Sequence, residues 1–397
     1  MASILRATTA WTTTTTTMRT TRASTASRVA RAVSATHRAF DVERATETVR
    51  VSRDNASLDG CEYEVIRARA RGSASSSASS SSSASSSTRV FVVPGNPGVP
   101  AFYETFALAL GEATAASSVE VVGYLGHTVK DRPNRTEWFT LDEQKEHVRE
   151  YIERRLAESS GDDDGSTTKC VVVGHSIGAH VALHARRALG RDKVHGIIGL
   201  MPFLHVNERS ALQKSLSFVT RLSLVAHALG KLLDGLRAAL PSARLLLLRA
   251  AVTKSMDTTA AEITSAWLRW QSLINMVFMG RTEFDALTVP VTECPLVASA
   301  RPSELAVVYA HNDHWAPLHQ RDALASIDVD VTTIDADIDV AHDFVVNDAS
   351  ARVVAALCVP LVARLVRRAR LPSTARAAHD RRRWPLLRRV RADLHGR

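Results

Sequence analysis

The sequence has few cysteines, and those it has are not paired. Its four cysteines, Cys61, Cys170, Cys294 and Cys358, lie far apart among 397 residues. Because structural zinc sites and small disulfide scaffolds have characteristic cysteine spacings, and no paired spacing occurs here, this scatter argues against both. No run of eighteen apolar residues lacks a charge, so the sequence does not indicate a membrane-spanning helix.

Acidic residues are absent from residues 1–40, which carry six Arg, and scarce in residues 364–397, which carry twelve Arg and two Asp. The net charge of +9 therefore leaves −7 for residues 41–363. Since the positive charge lies in the two end segments, the sequence argues against a nucleic-acid enzyme, which more often carries Arg on a folded face. The Arg-, Ser-, Thr- and Ala-rich segment 1–40 is typical of a transit peptide, with a plain disordered leader as the alternative.

The remaining sequence alternates between short apolar runs and helix-like segments. "RVFVVPG", "SVEVVGYLG" and "TKCVVVG" have the composition of strands, and "LDEQKEHVREYIERRLAE" is a strongly amphipathic helix. Such alternation predicts an α/β fold with a doubly wound, mostly parallel sheet. A low-complexity serine tract, residues 72–88, cannot bury apolar surface and is predicted to be a flexible loop.

The alternation stops between residues 203 and 297, where apolar helical segments dominate, and resumes at "ELAVVYA" and "DVDVTTID". We therefore predict one domain over residues 41–366, with a helical cap inserted at 203–297 and a basic tail at 367–397. Segment 215–250 mixes apolar residues with regularly spaced Arg and Lys. This pattern suits either a lid packed on the core or a helix lying in a lipid interface.

One serine stands between two glycines where a predicted strand becomes a predicted helix. "GHSIG", residues 174–178, matches the G-x-S-x-G pattern of a nucleophile elbow, and it follows "CVVV" as that motif requires. Gly174 and Gly178 lack side chains, so the strand and the helix can approach closely. We predict Ser176 as a catalytic nucleophile.

A serine nucleophile needs a histidine base that is oriented by an acid. On this architecture the order along the chain is Ser, then Asp or Glu, then His. Asp313 follows the run "ELAVVYA", and His342 follows the last predicted strand. Because both lie past strand ends, where open α/β sheets place their sites, we predict Asp313 as the acid and His342 as the base.

Other titratable residues near these positions are interpreted differently. We expect His175 to pack beside the elbow. His180 and His184, at i and i+4 on the helix after the elbow, could mimic a metal site, but no third ligand is evident. We therefore predict no metal, and we predict no organic cofactor.

Asp343, next to His342, is the best alternative to Asp313 as the acid. His311 and His314, beside Asp313, do not follow the last strand.

An acyl-transfer site also needs donors for an oxyanion. One donor is predicted to be the backbone N–H of Ile177, the residue after the nucleophile. The second is expected from the segment "PGNPGVPAFY", where Asn96 stands at the suitable place. Taken alone, this segment would be interpreted as an ordinary Pro/Gly turn.

Four segments together resemble the lipid droplet-associated hydrolase family, a branch of the α/β-hydrolases. They are "VVPGNPGVPAFYETF", "TLDEQKEHVREYI", "GHSIGAH" and "NDHWAP" with "HDFV". The resemblance implies Ser176 as nucleophile, Asp313 as acid and His342 as base. It also implies an ester hydrolase at lipid droplets and the endoplasmic reticulum. The serine tract, the leader and the stretch "MPFLHVNERS" depart from the family pattern.

The sequence thus predicts a serine hydrolase that cleaves carboxylic esters of neutral lipids or sterols through an acyl-serine intermediate. Its expected partners are a lipid ester and the surface of a lipid droplet or membrane, contacted at the interface and not spanned. Two alternatives stay open: an acyltransferase that uses the same residues, and a droplet-surface binding protein with little activity. If segment 1–40 is a transit peptide, the location would be a chloroplast or mitochondrion.

Overall fold

The computed structural model describes residues 40–49, 58–70, 87–129, 138–158, 168–239 and 256–370. The predicted leader lies outside these residues apart from Phe40, and so does the predicted serine loop apart from residues 87 and 88. The predicted tail is described only to residue 370, where its first residues continue a helix.

The described strands form one eight-stranded sheet with the order β1-β2-β4-β3-β5-β6-β7-β8. The two pairs formed by β2, with β1 and with β4, are antiparallel, and every other pair is parallel. The strands are Phe40–Thr48 (β1), Glu62–Ala70 (β2), Thr88–Val93 (β3), Ser118–Val122 (β4), Lys169–His175 (β5), Gly196–Leu200 (β6), Leu305–Tyr309 (β7) and Asp330–Thr333 (β8). The predicted mostly parallel α/β sheet is confirmed.

Helices cover both faces of the sheet. They are Glu104–Thr114 (α1), Leu141–Glu158 (α2), Ile177–Leu189 (α3), Ala211–Thr220 (α4), Ser223–Ala239 (α5), Thr258–Trp267 (α6), Trp270–Ala286 (α7), Pro295–Ser299 (α8), Leu318–Ala325 (α9) and Asp348–Ala369 (α10). On β6, a Cβ at Gly196 would meet Leu365 of α10, and a Cβ at Gly199 would meet Ala179 of α3. Residues three apart on a strand point to opposite faces, so α10 and α3 lie on opposite sides.

The chain between β6 and β7 is helical over most of its described length and contains α4 to α8. Helix α7 packs against α5, α4 and α2, so it joins this insertion to the core. These helices fall between residues 211 and 299 and so overlap the predicted cap, residues 203–297, of which residues 240–255 lie outside the described part of the chain.

Helix α10 is the one single helix among the described residues that is long and apolar enough to cross a membrane by length and composition. It packs on α1, β5 and β6, and its buried face includes Val354, Leu361 and Leu365. An apolar core helix has the same composition as a spanning helix, and these contacts account for the apolar face of α10. The bent pair of α4 and α5 passes the same test only when counted as one broken span.

Two loops at the carboxyl ends of β3 and β4 are hydrogen-bonded to each other. The side chain of Gln144, on α2, accepts from the N–H of Leu125 and donates to its carbonyl, both at 2.9 Å. Tyr124 precedes Leu125 in the same loop. Its hydroxyl donates to Pro94 O at 2.8 Å, and its N–H donates to Gly98 O at 3.0 Å. Helix α2 therefore fixes the β4 loop, and that loop fixes the segment after β3.

Candidate active site

Ser176 occupies a strained turn between β5 and α3. Its φ of 54° and ψ of −124° lie outside the regions that residues with side chains prefer. Its N–H donates to Leu200 O at 2.9 Å, and its carbonyl accepts from Phe203 N at 3.0 Å. Leu200 ends the neighbouring strand β6 and Phe203 follows it, so the surrounding backbone holds this conformation in place.

The glycines beside Ser176 allow three backbone segments to meet. A Cβ on Gly174 would lie 2.3 Å from Gly178 O, and a Cβ on Gly178 would lie 2.3 Å from Val93 O. Real Cβ atoms do not approach carbonyl oxygens so closely, so neither position accepts a side chain without a backbone shift. A Cβ on Gly95 would lie 3.1 Å from Ser176 Cβ, which places the segment after β3 directly against the serine.

Side chains from three loops form a continuous hydrogen-bonded chain at this point. The distance between His342 Nε2 and Ser176 Oγ is 2.9 Å, and that between His342 Nδ1 and Asp313 Oδ2 is 2.7 Å. Ser176 follows β5, Asp313 follows β7 and His342 follows β8. The structure therefore brings together the three residues that the sequence analysis selected, at the carboxyl edge of the sheet.

The Asp313 carboxyl is fully buried and has several donors. Its Oδ1 accepts from the N–H groups of Trp315 at 2.7 Å and Ala316 at 3.1 Å, while Oδ2 faces His342. Burial alone would raise the pKa of Asp313, but His342 and the two amides outweigh it and lower that pKa below its usual value. An ionised carboxylate here fixes a proton on His342 Nδ1 and leaves Nε2 free to accept from Ser176.

Comparison with known families identifies the chain. The sequence profile of the lipid-droplet associated hydrolases matches residues 86–345, about two thirds of its length. The protein belongs to the lipid droplet-associated hydrolase family. A curated member from Dictyostelium discoideum is 24% identical over 231 residues, which cover 58% of this chain and 73% of that protein. One from Drosophila melanogaster is 33% identical over 103 residues, 24% of this chain and 31% of the relative.

Solved structures show the same fold at low sequence identity. The peroxisomal α/β-hydrolase of Saccharomyces cerevisiae has a TM-score of 0.56 and 14% identity, and covers 89% of this chain and 99% of its own. A haloalkane dehalogenase from Bradyrhizobium elkani has a TM-score of 0.53 and 10% identity, covering 82% and 99%. The protein is thus a hydrolase of the α/β-hydrolase fold, with the helical insertion between β6 and β7.

A second hydrogen-bonded chain, which no sequence pattern indicated, lies behind the site of this hydrolase. The hydroxyl of Tyr103 accepts from Gly95 N at 2.7 Å and lies 2.6 Å from His175 Nδ1, and His175 Nε2 lies 2.8 Å from the carbonyl of His342. A carbonyl can only accept, so Nε2 carries the proton of His175 and the Tyr103 hydroxyl donates to Nδ1. The chain thereby joins the segment after β3, the elbow and the His342 loop.

The environment of His175 favours this neutral tautomer. Burial and the neighbouring His342 lower the pKa of His175 to about 3, so the ring stays uncharged at neutral pH. The sequence predicts only that His175 packs beside the elbow, because nothing in the spacing of residues shows that a tyrosine would reach it. Tyr103 itself stands in "VPAFY", within the segment that carries the family resemblance.

The two predicted oxyanion donors border Ser176. Ile177 is the first residue of α3, and Asn96 adjoins Gly95, which contacts the serine. The side-chain amide of Asn96 is engaged elsewhere, because its Nδ2 donates to Met276 O at 3.0 Å and to Glu283 Oε1 at 2.9 Å. The oxyanion role of Asn96 therefore remains a prediction for its backbone N–H alone.

The competing residues lie elsewhere or have other partners. His184 Nε2 is 2.7 Å from Glu146 Oε1 on α2, which fits the interpretation of a helix-face residue. His311 and His314 are exposed. Burial raises the pKa of Asp343, and within the described residues its side chain makes no hydrogen bond to His342. No group of three His, Cys, Asp or Glu side chains suited to a metal ion occurs among the described residues.

Proposed function

We propose that this hydrolase is a serine esterase that cleaves carboxylic esters of neutral lipids or sterols through an acyl-Ser176 intermediate. The observation that supports it best is the pair of distances, 2.9 Å and 2.7 Å, that links Ser176 through His342 to Asp313. A serine hydroxyl is a weak nucleophile until a base accepts its proton, and this arrangement supplies the base and the acid that orients it.

In the first half of the reaction, Ser176 Oγ attacks the ester carbonyl while His342 Nε2 takes its proton. The Asp313 carboxylate stabilises the imidazolium that forms. The carbonyl oxygen becomes an oxyanion, which the N–H groups of Ile177 and Asn96 bind. When the tetrahedral intermediate collapses, the ester C–O bond breaks, His342 returns the proton to the leaving alcohol, and the acyl group stays on Ser176.

In the second half, water replaces the alcohol. His342 takes a proton from the water as it attacks the acyl carbonyl, and the same donors bind the second oxyanion. The intermediate then releases the fatty acid, and His342 gives the proton back to Ser176 Oγ. If a lipid alcohol entered in place of water, the same steps would transfer the acyl group, which makes the nature of the acceptor an outcome of the test.

An exposed apolar surface on the cap supports a lipid substrate. Phe218 on α4 is 65% exposed, and on α5 Leu224 is 84%, Val225 56% and Leu232 58% exposed. Large apolar side chains in such a group are costly in water and suit the boundary of a lipid layer. Since the curated relatives are named for lipid droplets, we propose that these cap helices lie on a droplet surface.

The proposed lipid contact can be separated from the chemistry. We expect Leu224→Ser with Leu232→Ser to weaken binding to a triacylglycerol emulsion at least about tenfold, since two large apolar side chains leave the interface. Hydrolysis of a soluble p-nitrophenyl ester should stay unchanged. Val289→Ser is the control, because Val289 is also exposed (41%) but belongs to the segment after α7 and not to α4 or α5. Equal emulsion binding by the double variant and wild type would refute the contact.

The chemistry is tested by labelling with a fluorophosphonate probe and by ester hydrolysis. Wild type should react, whereas Ser176→Ala and His342→Ala should not, and ester turnover in these variants should fall at least about 10³-fold. Emulsion should be present in a second set of assays. A folded wild type that neither labels nor hydrolyses under either condition would contradict the esterase and favour a binding protein, and acyl products formed with added sterol would favour the acyltransferase.

A further inference from the structure

The side chain of Asn96, in the segment after β3, is hydrogen-bonded to the cap. Both acceptors of Asn96 Nδ2, the carbonyl of Met276 and the carboxyl of Glu283, belong to helix α7. Between them on the same helix, a Cβ at Gly280 would lie 3.6 Å from Nδ2, so the helix backbone passes directly over the amide. Asn96 is therefore held by the cap, although it belongs to a core loop.

The Glu283 carboxyl is buried without a charged partner. The residue is 5% exposed, and no Lys or Arg forms an ion pair with it in the described part of the chain. Burial raises the pKa of Glu283 to about 8, against the opposing effect of Asn96. A buried carboxyl is destabilising unless it makes hydrogen bonds, and among the described residues it accepts one, from Asn96, the neighbour of Gly95.

The core holds the residues on either side of Asn96. Gly95 donates its N–H to Tyr103, and Gly98 donates its N–H to His127 Nδ1 at 2.9 Å. Asn96 lies between these two glycines, and its side chain extends to the cap. The orientation of the Asn96 peptide thus depends on α7 as well as on the core.

We propose that Glu283 is a positioning residue, which holds the Asn96 peptide for oxyanion binding and so couples the cap to the reaction. This inference rests on the proposed esterase function. A donor must lie within hydrogen-bond distance of the developing oxyanion, so a small displacement of this peptide lowers the rate of the chemical step more than it changes substrate binding.

Two substitutions at Glu283 test the coupling on the full-length protein. Glu283→Gln keeps an oxygen that can accept from Asn96 Nδ2, whereas Glu283→Leu fills similar space without an acceptor. For p-nitrophenyl butyrate, we expect kcat of the Leu variant to fall about ten- to hundredfold with KM changed less than about twofold. The Gln variant should keep kcat within about threefold of wild type. Thermal unfolding measures whether each variant is folded.

A third variant keeps the test decisive if the Leu variant does not fold. Asn96→Ala removes the contact with Glu283 together with that to Met276 O and retains the backbone N–H, so it should lower kcat by at least the same factor. If one contact carries the effect, the double variant Asn96→Ala, Glu283→Leu should lose little more than either single variant. Wild-type kcat in folded Glu283→Leu or Asn96→Ala would overturn the coupling and leave the esterase intact. A wild type that hydrolyses no ester would overturn both.

Discussion

Tyr103→Phe removes a single oxygen atom at the centre of the hydrogen-bonded chain behind Ser176. The hydroxyl accepts from Gly95 N–H at 2.7 Å and donates to His175 Nδ1 at 2.6 Å, and the tyrosine is almost fully buried. A buried polar group that loses its partner costs about 1–3 kcal/mol. Because two groups lose theirs while the ring still fills its space, we expect the free energy of unfolding to fall by about 2–6 kcal/mol.

Tyr309 provides a matched control. It is also fully buried, at the end of β7, but its hydroxyl has no hydrogen-bond partner in the described structure. Tyr309→Phe removes the same atom without breaking a hydrogen bond, so it should not lower stability. Urea unfolding of wild type and both variants at neutral pH gives the comparison directly, provided that the slope with denaturant stays constant.

The same pair of variants reports on the site. With Gly95 released, the peptide that contacts Ser176 should move, and we expect kcat for a soluble ester to fall at least about tenfold in Tyr103→Phe. Tyr309→Phe should retain wild-type kcat. If Tyr103→Phe is as stable and as active as Tyr309→Phe, the Tyr103 hydroxyl is not the shared point of the chain, and the reasoning is refuted.

Three further substitutions test single features of the site. In Asp313→Asn, the two backbone donors keep the amide oxygen, so the NH₂ faces His342 and forces the wrong tautomer; kcat should fall about 10³–10⁴-fold with the fold retained by circular dichroism. Gly178→Ala places a Cβ 2.3 Å from a carbonyl of β3 and should lower the unfolding free energy by about 3 kcal/mol in urea, whereas Gly235→Ala has open space and should not. The folded state raises the pKa of Glu283 from 4.5 to about 8, so between these pH values the folded protein keeps a proton that the unfolded chain releases. The free energy of unfolding of wild type should therefore fall as pH rises, by roughly 1.36 kcal/mol per pH unit and a few kcal/mol in all, relative to that of Glu283→Gln. Urea unfolding at a series of pH values measures the difference.

Strand ends explain why so much of the site was accessible from the sequence. The parallel strands β5, β7 and β8 are short, and each predicted residue follows one of them in the chain order that the fold requires. In a parallel sheet the carboxyl ends lie at one edge, so predicting Ser176, Asp313 and His342 needed the positions of strands and no side-chain geometry.

The elements that sequence did not reveal depend on distant contacts. Strand β1 is largely half-buried or exposed and, among the described strands, pairs with β2 alone at the edge of the sheet, so it needs no apolar run. Tyr103 and His175 are 72 residues apart, and Asn96 and Glu283 are 187 apart. Local patterns carry no information on which side chains meet at such separations, because the tertiary packing of α1, α3 and α7 decides it.

The two halves of the proposed machinery have different structural origins. Ser176, His342 and Asp313 are joined through loops of the core, and Tyr103 with His175 reinforces that connection without any cap residue. The segment with Asn96 is hydrogen-bonded to the core at both ends, through Gly95 and Gly98. The side chain of Asn96 between them is hydrogen-bonded to α7, which packs on α4 and α5. Those two helices carry the exposed apolar surface. Helix α4 also contacts the loop of the acid directly, because Gln213 Nε2 donates to His314 O at 2.8 Å. A lipid layer that displaces α5 would act on Asn96 through α7, so an interfacial effect transmitted by this contact should appear in kcat and vanish in Asn96→Ala.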